Sequence, residues 1–510
     1  MNSATWNRWL LRAARMTCVG LPLFLMWVLP LDSLYLTGGD EGIELTKGAY
    51  FARQGYWPVE VWNDQPLAHT RLYGWLLRWR PDPLGPRWWS IVTFAGLLVA
   101  VHGFTFHVHR DHAVALAAVV VLAWSPLVLD LSVAAMQEMP ATALGMVSVW
   151  LVLRADEDEN RWLLLMAVLS ASAGIAIKLT AGFYAVAAFL LLLRRRCGGT
   201  DLDRRVERQM IGWPWWYALG VAVGCWLALW LLDGRPVAAH LASHWAALDA
   251  ARRSSGAESA GPWMFLFGTH PFLWIFAVIG VSAALRSRRV IGGRCWDGFI
   301  LVGVVALFHA VLRPWWEYYA LTCWVGLVPI AAKGWVVSLK AWRGSDGRAR
   351  SPEGRGMIAW SAAAGALAAG VFWGWAWLHQ LVALRNSPRA TDSRLLASLR
   401  QQIGVAPGGT IYSVEPIAAF WLGLRVPESL LVVSQKRFLS GDLDPAAIPG
   451  EVRRARCDYL VIPQGLDLEK LPDWPALLRE SYILVAFAEG REIYVHRRWR
   501  PSRLETRMQW

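Results

Sequence analysis

The sequence is poor in charged residues. They make up 17% of the 510-residue chain, whereas hydrophobic residues make up 55%, and the mean hydropathy is +0.32. Soluble globular domains carry charge at about 25% of their positions. The shortage of charge therefore excludes an ordinary soluble protein of this length and indicates a chain with much of its surface in lipid.

The sequence also lacks a cysteine framework. Its six cysteines are scattered, with neither the spacing of a metal site nor the pattern of a disulfide-bonded domain. Internal repeats of the solenoid type and low-complexity tracts are absent as well. A cleavable signal peptide is not expected, because the basic start (Arg8, Arg12 and Arg15) leads into an apolar run of full spanning length.

Long apolar runs recur along the first three quarters of the chain. A helix needs roughly 20 apolar residues to cross a bilayer, and about eleven runs come near that length. The 34 tryptophans cluster at the ends of these runs, as in an interfacial aromatic belt. The sequence thus predicts a polytopic α-helical membrane protein. The predicted spans are 16–36, 88–108, 113–131, 138–153, 162–177, 179–193, 213–232, 263–284, 296–312, 318–338 and 357–378.

The charges in the loops predict the orientation of the chain. The net charge is +13, and arginines cluster in alternate short loops, a pattern typical of cytoplasmic loops beside anionic lipid rather than of nucleic-acid binding. The stretch 162–193 is ambiguous, since it could form one tilted span or two short ones. Two spans keep every basic loop inside and place Lys178 at an outer turn. We therefore expect a multi-pass protein of a bacterial inner membrane with a cytoplasmic N-terminus.

The last quarter of the chain has a different composition. From about residue 380, short β-like runs bounded by Gly and Pro follow an amphipathic helical stretch over 391–404. An odd number of spans places this part outside the membrane. The sequence therefore predicts a membrane domain over 1–379, with a long outer loop at 37–87, and a small extracytoplasmic α/β domain over 380–510.

An acidic pair opens the long outer loop. Asp40 and Glu41 follow two glycines and begin an amphipathic segment that we expect to lie as a helix along the membrane interface. One interpretation is that the Asp40 side chain caps this helix. The other is that Asp40 is a functional carboxylate, and the two are compatible because a cap holds a carboxylate in a fixed place.

Other polar residues are predicted on the same side of the membrane. Glu138 opens the fourth span, either as part of a site or as a first-turn acid that complements the helix dipole. Lys178 lies so near the hydrocarbon that it is a functional candidate, although a lysine there can also extend to the interface. The segment "LRPWWEYYAL" is either part of a site or an interfacial belt with a local ion pair, and it contributes Arg313, Glu317, Tyr318 and Tyr319.

These residue types suit one kind of chemistry. A carboxylate can take a proton from a hydroxyl nucleophile, and a cation can neutralise a phosphate leaving group. Acids and cations on one membrane face therefore favour group transfer from a lipid phosphate. His240 and His244 are four residues apart on another outer loop, but no third ligand accompanies them as a metal site requires.

Four segments carry a resemblance to a known family: "GGDEGIELTKGAYFARQGYWPVEVWNDQPLAH", "QEMPATALGM", "GIAIKLTAGFYAVAAFLLLL" and "RPWWEYYALTCWVGLVPIAA". In pattern and order, over about residues 1–340, the chain resembles the GT-C glycosyltransferases, in particular the protein O-mannosyltransferase-like and aminoarabinose-transferase-like enzymes. The resemblance implies transfer of a sugar, with inversion and on the outer face, from a polyprenyl-phosphate donor to a hydroxyl acceptor. The acceptor could be a glycolipid, a polysaccharide or a protein.

The resemblance also implies roles for residues. By position, Asp40 would be the general base that deprotonates the acceptor hydroxyl. Glu41 would support the local geometry or a cation, and Glu138 would be the second acid. Lys178 and Arg313 would be candidates for binding the donor phosphate.

The chain departs from the family pattern within the first outer loop. The family often has a cation or Gln followed by two prolines, whereas here Gln65-Pro66 is followed by Leu67, and His69 stands where an aromatic residue is common. Gln65 and His69 are expected to line the substrate cavity together with Glu317, Tyr318 and Tyr319. No cofactor is required, and a divalent cation is left open. Two cations of this loop could replace the missing phosphate contact: Arg53 and Arg71.

Two other functions fit parts of the sequence. A transporter or flippase of lipid-linked sugars would use intramembrane charges, but its charges are expected at mid-span rather than at span ends. A membrane-anchored protein of envelope assembly would bind a partner through its C-terminal tail, and the Arg-rich end of the tail is compatible with such binding.

Overall fold

The computed structural model describes residues 3–36, 40–57, 61–63, 65–197, 212–233, 242, 245–246, 249–250, 261–286, 294–311, 316–343, 353–405, 408–434, 437–438, 440–464 and 473–499. Three residues singled out from the sequence lie outside this set: His240, His244 and Arg313.

Helices form most of the described part of the chain up to Arg385, as expected for segments in lipid, where the backbone polar groups must be satisfied within their own segment. Every predicted span overlaps a helix, and the ambiguous stretch 162–193 contains two helices that are separated at Lys178. A short π-helix, Met16–Gly20, joins the first two α-helices of the chain. The helices are α1 (Ser3–Arg15), α2 (Leu21–Val28), α3 (Glu41–Gln54), α4 (Ala68–Trp79), α5 (Leu84–His109), α6 (His112–Ala123), α7 (Pro126–Val133), α8 (Glu138–Asp158), α9 (Arg161–Ile177), α10 (Gly182–Cys197), α11 (Gly212–Asp233), α12 (Gly261–Thr269), α13 (Pro271–Arg286), α14 (Cys295–Val311), α15 (Ala320–Arg343) and α16 (Glu353–Arg385).

The described helices differ in how far they could reach across a bilayer. Five are long and apolar enough to cross: Thr5–Val28, Leu84–His109, Gly212–Leu231, Glu317–Lys340 and Ser361–Arg385. The pair α6 and α7 would count as a sixth span, although it is bent by 69°. The bend occurs because Ser125 caps α7 and Pro126 lacks the amide hydrogen needed to continue α6. Shorter apolar helices correspond to several of the remaining predicted spans.

The C-terminal part forms a four-stranded sheet in the order β1-β2-β4-β3. Strand β1 is parallel to β2, and the other pairs are antiparallel. Side chains alternate between the faces of β2, so Val461 packs toward α17 and α18 while Leu460 packs toward α19 and α20. This arrangement confirms the predicted small α/β fold of the tail. The elements are α17 (Arg394–Val405), β1 (Ile411–Ser413), α18 (Pro416–Leu422), α19 (Ile448–Ala455), β2 (Tyr459–Pro463), α20 (Asp473–Ser481), β3 (Tyr482–Ala488) and β4 (Arg491–His496).

Helix α3 lies between α4 and the C-terminal domain, and much of it is buried. The Thr46 hydroxyl donates to the Pro416 carbonyl at 3.0 Å, and the Tyr50 hydroxyl donates to Glu428. The helix itself was predicted, and protein neighbours bury much of it; its position along the membrane interface stays a prediction. An amphipathic pattern shows that one face avoids water, and it does not distinguish lipid from a packed protein neighbour.

Gly42 generates a prediction about this contact. A Cβ atom at Gly42 would lie 2.6 Å from the backbone nitrogen of Ile417 in α18, an atom that cannot move aside as a side chain could. We expect Gly42→Ala to lower the free energy of unfolding by about 1–3 kcal/mol through overpacking. The control is Gly404→Ala in α17, where nothing lies within 4 Å. Thermal unfolding in detergent checks this, and equal midpoints for the two variants would contradict the contact.

Candidate functional site

A cavity of about 260 Å³ lies where α3, the starts of α8 and α15, the α9–α10 turn and the C-terminal domain meet. Its charged lining consists of three carboxylates and two ammonium groups: Asp40, Glu44, Glu138, Lys47 and Lys178. The other lining residues are Ile43, Gln65, Gln137, Trp316, Tyr318, Tyr319, Val432, Val433 and Ser434.

A buried ion pair sets the start of α3. Both carboxylate oxygens of Glu41 accept hydrogen bonds from Arg87, each at 2.9 Å, and both side chains are fully buried. One of these oxygens also accepts from the Ala135 amide at 2.7 Å. Glu41 itself does not line the cavity. Its contacts position Asp40, the preceding residue, and the segment that leads to Glu138.

Arg87 makes further hydrogen bonds, which connect the ion pair to the backbone of neighbouring segments. Its guanidinium donates to the backbone oxygens of Leu31 and Leu34, at 2.6 and 3.0 Å. These carbonyls lie in the connection from α2 to α3, while Arg87 belongs to the first turn of α5. One guanidinium therefore joins three parts of the membrane domain around the first residues of α3.

Asp40 directs its carboxylate to the cavity rather than to its own helix. It occupies the position before α3, but its side chain makes no capping hydrogen bond. Its backbone (φ −86°, ψ 1°) is not in the extended region that side-chain capping normally requires. Instead, the carboxylate accepts a hydrogen bond from the Tyr318 hydroxyl at 2.9 Å. The interpretation of Asp40 as a side-chain cap is therefore wrong.

Lys178 and Glu138 form a second buried ion pair at the cavity wall. Their side chains are 6% and 7% exposed, so Lys178 does not extend to the membrane surface. Its ammonium lies 4.9 Å from the ring centre of Tyr318 and 5.2 Å from that of Tyr319. Burial acts to lower the pKa of Lys178, but the Glu138 carboxylate outweighs burial and the pKa is raised. The ammonium group therefore stays charged inside the protein.

A third set of polar contacts was not found from the sequence. Lys47 donates to one oxygen of Glu44 at 3.0 Å, and Gln137 donates to the other at 2.9 Å. Lys47 is only 1% exposed. Asp40, Glu44 and Lys47 are four and three residues apart, which places them on one face of a helix. That spacing is the signal that could have revealed Glu44 and Lys47.

The C-terminal domain supplies another part of the wall that the sequence did not indicate. Val432, Val433 and Ser434 line the cavity opposite residues of the membrane domain. No local pattern links this segment with α3, from which it is separated by most of the chain. Only the tertiary contact between α3 and α18 reveals it.

Two cations proposed from the sequence do not reach this cavity. Arg53 is near the end of α3, and its guanidinium donates to the Gly423 carbonyl at 3.3 Å. Arg71, on α4, donates to the Leu231 carbonyl at 3.3 Å. Neither residue is part of the cavity lining. Both belong to the predicted outer loop, but their helices turn them toward other neighbours.

The remaining predicted residues have different positions. Gln65 and Tyr319 line the cavity, whereas Glu317 lines a second, larger one that it shares with Tyr318. His69 lies outside the lining and is fully buried, with its ring centre 3.9 Å from that of Tyr73. Burial, together with nearby ammonium groups, holds the pKa of His69 well below its ordinary value. His69 is therefore a neutral packing residue beside the cavity.

The described residues contain no group of three or more His, Cys, Asp or Glu side chains that could hold a metal ion.

Comparisons with known proteins identify the fold. Residues 73–213 match the family model of dolichyl-phosphate-mannose-protein mannosyltransferases, and no curated protein matches the chain. The structure is similar to that of ArnT from Cupriavidus metallidurans bound to undecaprenyl phosphate, with a TM-score of 0.61 and 14% identity, over 97% of this chain and 98% of that one. It is also similar to an oligosaccharyltransferase from Archaeoglobus fulgidus tethered to an acceptor peptide. That match has a TM-score of 0.52 and 11% identity, over 97% of this chain and 74% of the other. The likeness confirms the predicted polytopic GT-C fold.

The Glu41–Arg87 pair generates a stability prediction. In Glu41→Gln, the Arg87 guanidinium would stay buried without its carboxylate, so we expect the free energy of unfolding to fall by about 3–5 kcal/mol. The control is Asp158→Asn, which breaks an exposed pair with Arg154 and should change it by less than about 1 kcal/mol. Thermal unfolding in detergent measures both variants. A small and equal effect in the two would show that the buried pair is not the support we describe.

Proposed function

We propose that this protein, which has the GT-C fold, is an inverting glycosyltransferase of a bacterial inner membrane. It would move a sugar from a polyprenyl-phosphate donor to a hydroxyl of an envelope acceptor on the outer face. The observation that carries this proposal is the meeting of Asp40 with two buried lysines, Lys47 and Lys178, in one cavity. A base and a phosphate-binding pair in one place are what such a transfer needs.

Asp40 is the proposed general base. Its carboxylate takes the proton of the acceptor hydroxyl as the acceptor oxygen bonds to the anomeric carbon. The bond from that carbon to the phosphate oxygen breaks at the same time, which inverts the configuration and releases the polyprenyl phosphate. The Tyr318 hydroxyl donates to Asp40 and keeps the carboxylate oriented.

Lys47 and Lys178 are the proposed partners of the phosphate. Each is held by one carboxylate, Glu44 and Glu138 respectively. An ammonium group has three donors, so pairing with a single carboxylate leaves donors for phosphate oxygens. The two pairs also fix ammonium groups that would otherwise lose rotamer freedom when the donor binds. The charge that develops on the leaving group thus meets fixed positive groups, and the scheme uses no metal ion.

The membrane setting supports a lipid donor. ArnT from Cupriavidus metallidurans, which shares the fold, was seen with undecaprenyl phosphate bound. We propose the corresponding class of donor for this chain, with the N-terminus in the cytoplasm and the C-terminal domain outside. The acceptor is a hydroxyl of a glycolipid, a polysaccharide or a protein. Val432, Val433 and Ser434 place the C-terminal domain at the cavity wall, which supports a role for that domain in catalysis.

The first test concerns the base. Asp40→Asn keeps the shape of the side chain but is a far weaker base, so we expect sugar transfer to fall by at least about 100-fold. Transfer is measured with the purified protein and polyprenyl-phosphate sugars, and unfolding temperature shows that the variant is folded. Asp392→Asn, at an exposed position of the C-terminal domain, is the control. A folded Asp40→Asn protein with the wild-type rate would reject Asp40 as the base.

The second test concerns the donor phosphate. Lys47→Gln keeps a donor toward Glu44 but removes the charge, so we expect the KM for the donor to rise by about tenfold or more. Lys340→Gln, at a lysine whose side chain is 58% exposed, should leave the KM unchanged. Transfer should also survive EDTA, since lysines supply the positive charge. An unchanged KM in Lys47→Gln, or activity that requires an added divalent cation, would contradict this scheme.

A further inference from the structure

A second cavity, of about 780 Å³, lies on the other side of Tyr318. Its wall is built from α7, the end of α16 and the C-terminal domain. Tyr318 is the one residue that lines both cavities in the described part of the chain. Because its hydroxyl donates to Asp40, the second cavity lies next to the proposed base.

The charged residues of this cavity are mostly acidic. Four carboxylates line it: Asp130, Glu317, Glu415 and Glu489. The one cation among the described lining residues is Arg491, and its guanidinium is paired with Glu415 at 2.5 Å. The cavity therefore has an excess of negative charge. Like charges repel strongly where water is partly excluded, so a phosphorylated ligand is disfavoured here.

The polar groups of the wall suit a ligand that both donates and accepts hydrogen bonds. Asp130 accepts from the Gln380 side chain at 2.7 Å. The Nε atom of Arg491 is buried and has no hydrogen-bond partner among the described residues. A buried donor without a partner costs about 1–3 kcal/mol. A sugar hydroxyl can donate to a carboxylate and accept from such a nitrogen.

Part of the same wall is apolar. Leu127 and Leu131 of α7 line it, together with Leu384 of α16. Leu127 and Leu131 lie beside Asp130 on the short helix α7, which begins at the 69° bend after α6. The cavity thus offers an aliphatic surface next to its polar one, a combination that suits an amphiphile as well as a plain sugar.

We propose that this second cavity binds the acceptor as a neutral, hydroxyl-rich head group and discriminates against phosphorylated acceptors. The inference rests on the proposed function, since it assigns the other substrate of the same reaction. A hydroxyl that enters along Tyr318 would reach Asp40, which accepts a hydrogen bond from the Tyr318 hydroxyl. The neutral head group belongs to a glycolipid or to a free glycan chain, and these share the same chemistry.

Binding can be tested without any donor. The full-length protein in nanodiscs is examined by saturation-transfer difference NMR with three probes: hexyl β-D-glucoside, maltotriose and hexyl phosphate. We expect at least one neutral probe to bind and hexyl phosphate to bind about tenfold more weakly or not at all. Binding of the glucoside alone indicates a lipid-borne acceptor, and binding of maltotriose alone indicates a free glycan.

Two variants connect the binding to this cavity. Ser387→Trp adds a large side chain at the half-buried rim and should lower the affinity of the neutral probe by roughly tenfold. Ser361→Trp, at an exposed position of α16, should not. Glu415→Gln frees the charge of Arg491 and should raise the affinity for hexyl phosphate by about fivefold.

Several results would overturn the inference. One is tighter binding of hexyl phosphate than of both neutral probes by the wild-type protein. Another is an equal loss of affinity for the neutral probe in the two Trp variants. The third is that a neutral serine peptide displaces the bound probe better than either sugar does. The proposed function is tested by a separate result. A wild-type protein that binds the glucoside but transfers no sugar from any polyprenyl phosphate would contradict the transferase and leave the cavity as a glycan site.

Discussion

The buried ion pair between Arg87 and Glu41 is the contact on which the geometry of the site depends. A guanidinium removed from water is tolerated only when its donors are satisfied, and Arg87 has two carboxylate bonds and two backbone carbonyls. Glu41 is adjacent to Asp40 and also binds the Ala135 amide, shortly before Glu138. One carboxylate therefore fixes two segments that supply acids to the cavity, and neither acid could shift without disturbing a fully buried charge.

Helix α3 carries this constraint to the rest of the site. One of its faces presents Asp40, Glu44 and Lys47 to the cavity. Another packs so closely on α18 that only glycine fits at position 42. The C-terminal domain is thereby attached to the helix that holds the proposed base, and the same domain adds Val433 to the wall. The domain is part of the site's construction, because without it one side of the cavity would open.

The parts of this structure that could be predicted from sequence are those with local signals. Apolar length located the helices, and charges at the ends of apolar runs revealed Asp40 and Lys178. The helix containing Lys47 was predicted too, but its position inside the cavity depends on which face of α3 meets the membrane domain. Arg53 lies on the same helix. Its predicted role at the phosphate was proposed without knowing which face of α3 lines the cavity. The contribution of Val432 depends on domain docking, which no local pattern encodes.

Tyr318 lies at a boundary between two electrostatic environments. On one side, two lysines accompany three carboxylates, and on the other a single arginine accompanies four carboxylates. In the proposed reaction, this asymmetry separates the two products. The anionic lipid phosphate is held by the lysines and repelled by the acidic wall, while the neutral glycan has no such barrier. Charge on the two sides of one tyrosine thus gives donor and acceptor different routes to the same carboxylate.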